Sequence, residues 1–275
     1  MASLTNLRIV ADNAVDRANV AASSTAGSLW PANLQAERKS QVWRGNTKSE
    51  TITLTWTAPE IVSMVAMLGN FSPTTTIRVR GYSDSAGNTQ VLDTGAQLAC
   101  PAPAVRLRGW TAAASMSAYA YRGGAIARIW FAETSVQCLK IDIVDTANLQ
   151  GYIEAAWLVT GKYWAPFYNA SGASRSAIDS TISSLTGAGD TVSQIGTIAN
   201  EISIDLEWLA PTDRATVEDM LDNSIGYAVF LSAYPGSDDL KLEARNTGYC
   251  TRVGDSEVAW AFASIYNTKI KFRSI

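Results

Sequence analysis

Histidine is absent from all 275 residues. It is the usual general base near neutral pH and the commonest metal ligand. Its absence excludes Ser-His-Asp and Cys-His catalysis as ordinarily built, and most catalytic zinc sites. Cysteine is scarce: Cys100, Cys138 and Cys250 are odd in number and far apart. With no CxxC pair there is neither a metal ribbon nor a thioredoxin-like centre, and free, mostly buried thiols are expected, consistent with folding in a reducing cytoplasm. Charge is also thin. Only 17% of residues are Asp, Glu, Lys or Arg, and the net charge is −3. That balance gives no general attraction for DNA or RNA, whose binding rests on neutralising phosphates. No stretch approaches the roughly 18 uninterrupted apolar residues of a membrane span. Met1–Arg8 lacks the basic-then-apolar pattern of a secretory leader, so the acceptor patterns Asn70-Phe71-Ser72 and Asn169-Ala170-Ser171 carry no meaning as glycosylation sites. GxSxG, P-loop, GxGxxG and HExxH patterns are all missing, as are heptads and fixed-period repeats.

What remains is a chain with 47% hydrophobic residues, enough for a sizeable core. Its length suits one large or two medium domains at about 100–150 residues each. Strand signals dominate. Thr51-Ile52-Thr53-Leu54-Thr55-Trp56 alternates with period 2, placing Ile52, Leu54 and Trp56 on one face. Ile77 to Arg80 and Leu139 to Ile143 alternate likewise, whereas Tyr152 to Val159 is more apolar on both faces. Turn formers such as Ser72-Pro73, Asp84 to Asn88 and Asp145 to Asn148 separate these runs. Short alternating strands of this kind predict a mainly β fold with an N-terminal jelly-roll β-sandwich rather than a parallel α/β sheet. Pro166, Asn169, Ser171 and Gly172 mark a junction. The expected division is residues 1–165 for the sandwich and 166–275 for a smaller β-sandwich or split-barrel domain with one helix.

In that second part, Ser174 to Asn200 reads as two strands around Thr186-Gly187-Ala188-Gly189-Asp190, though Ile178, Ile182 and Leu185 also fit a helical spacing. Ile202, Ile204, Leu206 and Trp208 are expected to face inward. A helix is predicted over about 211–225, with Pro211 at its start, Asp213 in its first turn, Val217, Met220, Leu221 and Ile225 on its buried face, and Gly226 as its stop. Strands follow at Tyr227 to Leu231 and at Thr268 to Arg273.

Residues 20–162 resemble the galactose-binding-like jelly roll of the discoidin or coagulation-factor type C family. The resemblance rests on the order of Ser23-Ser24, Leu29-Trp30-Pro31-Ala32-Asn33-Leu34, Val42-Trp43-Arg44, the Ile52-to-Trp56 strand, Val62 to Phe71, Ile77 to Tyr82, Leu139 to Ile143, and the closing Gly151-Tyr152-Ile153-Glu154-Ala155-Ala156-Trp157. The whole chain is also similar to structural proteins of long-tailed bacteriophages. There the strand–helix–strand text of Asp205 to Leu209, Thr212-Asp213-Arg214, Met220-Leu221, Val229-Phe230-Leu231 and Pro235-Gly236 resembles tail-tube, distal-tail and baseplate modules. This second resemblance implies a non-enzymatic structural component of a tail tip or baseplate. Such a component is made in the host cytoplasm, assembles in the virion as a homo-oligomeric ring, six-fold by analogy, and contacts other tail proteins. The first implies a different role, a carbohydrate-binding adhesin module that attaches the virion to host glycans.

Aromatic residues are the candidate sugar platforms: Trp43, Tyr82, Trp110, Tyr119 and Tyr121. Against them, Trp56, Trp157 and Trp208 fall in strand patterns and read as core, while Trp30 and Trp43 read as packing under loops. Between Asp93 and Glu133 no acidic residue occurs, and Arg106, Arg108, Arg122 and Arg128 share the stretch with Trp110, Tyr119 and Tyr121. Such a cationic, aromatic segment suits docking to an acidic neighbouring subunit or an anionic glycan, or is a solvated loop. Asp205 with Glu207, and Asp238 with Asp239, are the only paired carboxylates that invite a glycosidase reading. A solvent-facing pair lacks the contrasting environments that an acid and a base require. No cofactor is expected; Asp84, Asn88 and nearby carbonyls are the one weak candidate for a structural Ca²⁺.

Overall fold

The computed structural model describes residues 6–100, 125–194, 196, 198–223, 227–262 and 265–275. Strand β1 (Arg8–Val10) is followed by β2 (Asn19–Ala22), β3 (Trp43–Arg44), the long β4 (Ser49–Gly69), β5 (Thr76–Tyr82), β6 (Gln90–Asp93), β7 (Gln97–Leu98), the long β8 (Ala125–Val144) and β9 (Glu154–Gly161). The second half runs β10 (Gly172–Asp179), β11 (Ile182–Leu185), β12 (Thr191–Gln194), β13 (Ile198–Leu209), helix α1 (Pro211–Asn223) and β14 (Ala228–Ser232). It ends with a short helix α2 (Leu240–Arg245), β15 (Thr247–Arg252), β16 (Val258–Phe262) and β17 (Ile265–Ser274). The fold is mainly β, as the period-2 pattern predicts.

Two long strands make the first sandwich. The pairing of β4 with β8 shifts register between Thr55 and Glu60 and again between Val62 and Met64. Pro59 sits in the first of these irregularities, where its missing N–H does no harm. The early part of β4 pairs with β2 and the end of β8, and that end of β8 pairs in turn with β5. The later part of β4 pairs with the start of β8 and with β9, which carries β3 on its other side. Two layers result, and their facing side chains form one core. Ile52, Leu54, Trp56, Ile77, Val79, Leu139 and Ile141 come from one layer, and Trp43, Val65, Met67, Ile129 and Leu158 from the other.

A seven-stranded antiparallel sheet, ordered β1-β14-β15-β17-β13-β10 with β16 on β17, forms the next layer. Its first strand precedes the sandwich in the chain: Arg8–Val10 pairs with Phe230–Ser232. One face carries Ile202, Ile204, Leu206, Ile270 and Phe272, clustered with Val217, Met220 and Leu221 of α1. The opposite face presents Ala228, Phe230 and Tyr249 to the outer side of the sandwich, where Met64, Ala66, Trp157 and Val159 meet them. Trp157 lies 6.2 Å from the ring of Phe230 and 5.2 Å from that of Tyr249. The β9 layer is therefore buried on both sides, which is why its sequence is apolar on both faces.

Three local expectations change. Trp208 is 56% exposed, and Leu209 takes the inward place. The β13–β17 register slips between Leu206 and Leu209, and one irregular residue reverses which side chains face the core. Trp30, expected under a loop, is 59% exposed. A second helix, α2, lies where the sequence suggested none; Asp239 caps it by accepting from the Leu242 N–H at 3.0 Å. The Ser174-to-Asn200 region forms strands, as read from its sequence, and not the helix that its spacing also fits. Helix α1 begins at Pro211 as predicted, and Ile225 and Gly226 lie outside the described residues.

Polar contacts among the described residues also cross between the layers. Arg128 of β8 meets Glu243 of α2, Nε to Oε1 at 2.7 Å, with both side chains 5% exposed. Glu243 Oε1 also accepts from the Gly236 N–H at 3.0 Å. Further along the seam, Ala228 donates its N–H to Glu37 Oε1 at 2.9 Å. Near that contact, Asp16 is held at a pKa of about 6, against an ordinary 3.8. Burial contributes most, then Glu37 and Asp12, with Arg17 opposing.

Arg128→Ala leaves the Glu243 carboxylate buried without its cation and is expected to cost about 3–5 kcal/mol. Arg128→Met combined with Glu243→Leu is expected to recover most of that loss, read as the urea unfolding midpoint. Asp16 binds its proton more tightly in the folded chain, so its contribution to stability grows as pH falls through about 6 and is complete below 3.8. Asp16→Asn is therefore expected to raise stability at pH 8, with the advantage shrinking through pH 6. Equal midpoints for the variant and the natural chain at pH 8 would contradict this.

Candidate functional site

The rim of the sandwich at the start of β9 is organised around a buried carboxylate. Glu50, only 3% exposed, stands at the beginning of β4. It accepts from Ser24 Oγ at 2.7 Å, from Thr47 N and Oγ1 at 2.8 Å each, and from Ser23 Oγ. Burial opposes its charge most strongly, but the hydroxyl and amide donors together outweigh burial and lower its pKa. Gly45 passes directly beside it, and a Cβ there would lie 2.6 Å from the Glu50 side chain. The knot fastens the chain at Ser23–Ser24 to the turn at Gly45–Thr47. Trp43 is fully buried beneath, its indole N–H donating to Ser24 O at 3.1 Å.

On this base lies a fixed polar surface. Antiparallel pairing of β3 with β9 sets Arg44 opposite Glu154. The guanidinium bonds Glu154 Oε2 through Nε at 2.7 Å and stands 4.4 Å from the ring of Tyr152. Asn70 Nδ2 donates to Gln150 Oε1 at 2.6 Å and to Tyr152 O at 2.9 Å, while its Oδ1 accepts from the Glu154 N–H at 2.9 Å. Asn148 Nδ2 ties the same turn to Asn70 O at 3.0 Å. Gly151, at φ +85, supplies a backbone conformation that other residues rarely adopt. Leu29 O accepts from the Arg44 N–H at 3.3 Å, which ties the backbone just before the exposed Trp30 to this edge. The rim thus offers an indole face, a stacked and paired arginine, and side-chain amides in positions fixed by the backbone.

The residues singled out from sequence fare differently. Arg106, Arg108, Trp110, Tyr119, Tyr121 and Arg122 lie outside the described residues. Arg128 is buried and finds its carboxylate inside the chain, so it is withdrawn as a surface contact. Trp43 and Tyr82 are buried and present no platform; Lys140 Nζ lies 4.9 Å over the Tyr82 ring. The Asp84 carboxylate accepts from the N–H groups of Asn88 at 3.0 Å and Thr89 at 2.6 Å. It shapes its own loop, and no group of three or more metal-ligating side chains occurs among the described residues. Asp205 pairs with Lys269 at 3.0 Å beside an exposed Glu207, and Asp239 caps α2, so neither carboxylate pair lines a cleft. All three thiols are buried; burial pushes the Cys250 thiol up to about 12 and the Cys100 thiol higher, away from the thiolate a nucleophile needs.

Sequence reasoning missed the pairing of Arg44 with Glu154 and their stacking on Tyr152. Both segments stood in the text that resembles the jelly-roll family, but 110 residues separate the partners. Only the strand register brings them together.

No family model matches the chain, and no curated protein matches it. Several solved structures are similar over about half of it. CpGH89CBM32-5 from Clostridium perfringens, in complex with GalNAc-beta-1,3-galactose, shares 12% identity, covering 55% of this chain and 100% of its own at TM-score 0.40. The CBM32 of AlyQ in complex with 4,5-unsaturated mannuronic acid shares 16%, covering 54% and 95% at TM-score 0.36. Chitosan-binding module 1, from a chitosanase/glucanase of Paenibacillus sp. IK-5, shares 12%, covering 55% and 99% at TM-score 0.38.

Proposed function

We propose that the N-terminal sandwich is a non-catalytic carbohydrate-binding module whose contact surface is the rim formed by Trp30, Arg44, Gln150 and Tyr152. The observation that carries this reading is the exposed Trp30 beside a hydrogen-bonded array that the fold holds in place. An indole in water forfeits the burial that stabilises Trp43, Trp56 and Trp157. Its flat face suits the apolar face of a sugar ring, and neighbouring amides and guanidinium suit hydroxyls. The array is already ordered by Glu50, Asn70 and Glu154, which lowers the entropy lost on binding. Pairing with Glu154 balances the Arg44 charge, so a neutral glycan fits this rim better than an anionic one. Among the described residues of the rim, Glu50 is buried and taken up by hydroxyl and amide donors and Glu154 is paired with Arg44, and the reading is binding without turnover. The tail-tip reading rests on the sequence resemblance alone.

The test is a glycan array with the full chain, followed by calorimetry on the best neutral hit with the natural chain and Trp30→Ala. The variant is expected to bind about tenfold or more weakly, equal to about 1.4 kcal/mol, with an unchanged melting temperature. Absence of any glycan binding, or equal affinity of the two proteins, would overturn the assignment.

A further inference from the structure

Strands β10 and β13 pair from Gly172 opposite Asp205 to Asp179 opposite Ile198. Past that point the ribbon leaves the sheet. β11 and β12 pair only with each other, from Ile182 opposite Gln194 to Leu185 opposite Thr191, and every residue of both strands is exposed. At the departure point a Cβ on Gly196 would lie 2.3 Å from the backbone of Ser180, so the crossing of the two strands depends on glycine. The tip closes with the Thr186 N–H donating to Asp190 O at 2.8 Å, and Gly189 at φ +87.

This arm is costly as it stands. A two-stranded hairpin with nothing packed on it is at best marginally stable in water. Ile182, Leu185 and Val192 are 66%, 76% and 55% exposed. Free strand edges are normally guarded by charge, especially lysine, or by proline. Between Ser180 and Gln194 there is neither lysine nor proline, and Asp190 at the tip is the one charged residue. The outer edge of β10, at the end of the sheet order, also lacks a neighbouring strand among the described residues.

We infer that the arm from Ile182 to Gln194 is a self-association element that pairs with the free β10 edge and arm of a second copy of this chain. Three features favour a second copy. The arm is almost uncharged, so two arms can approach without like-charge repulsion or a buried unpaired charge. A reciprocal exchange is self-complementary, as a two-fold interface requires. Each copy contributes the thirteen residues from Ile182 to Gln194 and the eight of β10, 21 in all, which reaches the roughly 20–30 residues a side of a stable interface. This inference is independent of the glycan reading, because the arm and the Trp30 rim belong to different sheets.

The experiment is sedimentation equilibrium of the full chain over about 1–100 µM, a range suited to micromolar association, for the natural protein and the double variant Leu185→Lys, Val192→Lys. The natural chain is expected to associate, and the variant to do so at least tenfold more weakly with unchanged far-ultraviolet dichroism and melting. Hydrogen exchange on the natural chain gives a second reading that needs no variant. Amides of 182–194 should gain protection as concentration rises, while those of β4 and β8 stay constant. A natural chain that remains monomeric throughout, a variant that associates equally, or arm amides protected to the same degree at all concentrations would each overturn the inference. So would association only with a different protein.

Discussion

The layer built from β9, the second half of β4 and the first half of β8 has no face left for water, and the rest of the molecule is arranged around that constraint. On one side Val65, Met67, Ile129 and Leu158 close the sandwich; on the other Met64, Ala66, Trp157 and Val159 receive Phe230 and Tyr249. Truncating a buried aromatic of this kind typically costs about 3–5 kcal/mol, a large share of the stability of an ordinary fold. The two sheets are therefore not independent units joined by a linker. Arg8 reinforces the same seam, its guanidinium within 4.7 Å of the Trp130 ring and 4.5 Å of the Tyr163 ring. Arg128 and Glu243 sit in it as an internal ion pair, whose value lies more in fixing how the layers meet than in net stability.

That seam takes up much of the chain's aromatic and apolar surface and so decides which surfaces remain for other molecules. The tryptophans at positions 43, 56 and 157 serve the interior. Exposed tryptophans stand on rims and projections, Trp30 at the end of the sandwich, Trp208 at a bulge and Trp260 on β16, and the arm exposes Ile182, Leu185 and Val192. The rim at Arg44 and the arm at Ile182 differ in kind. The rim is rigid because a buried carboxylate and side-chain amides hold it from beneath. The arm has only its own ladder, so its order depends on what covers it. Rigidity suits selection of a small polar ligand, and an unguarded strand pair suits backbone pairing with another chain.

Much of this architecture is legible in the residues taken singly. Ile52-Thr53-Leu54-Thr55-Trp56, Ile77 to Arg80 and Leu139 to Ile143 show a period-2 face, and each lies in a strand with that face buried. Pro211 and the spacing of Val217, Met220 and Leu221 mark α1. The candidate site is far less legible. Arg44 carries no local sign that it will meet Glu154, and Trp30 looks like its buried neighbour Trp43. Arg128 shares its sequence neighbourhood with other arginines, yet its partner lies 115 residues away. Trp208 continues an inward alternation by the letter of the sequence, and only the register slip against β17 turns it outward.

The sequence alone determined the class of the molecule: strands from alternation, one helix from 3.6-residue spacing, and no histidine-dependent chemistry from what is missing. These are properties of residue type and short-range periodicity, and short-range periodicity survives without knowledge of partners. The tertiary structure decided which aromatics are interior, which arginine is spent inside, that the sheets share a seam, and where an unguarded arm projects. Those outcomes depend on strand register and layer stacking between residues far apart in the chain. A shift of one residue in either exchanges the buried face for the exposed one.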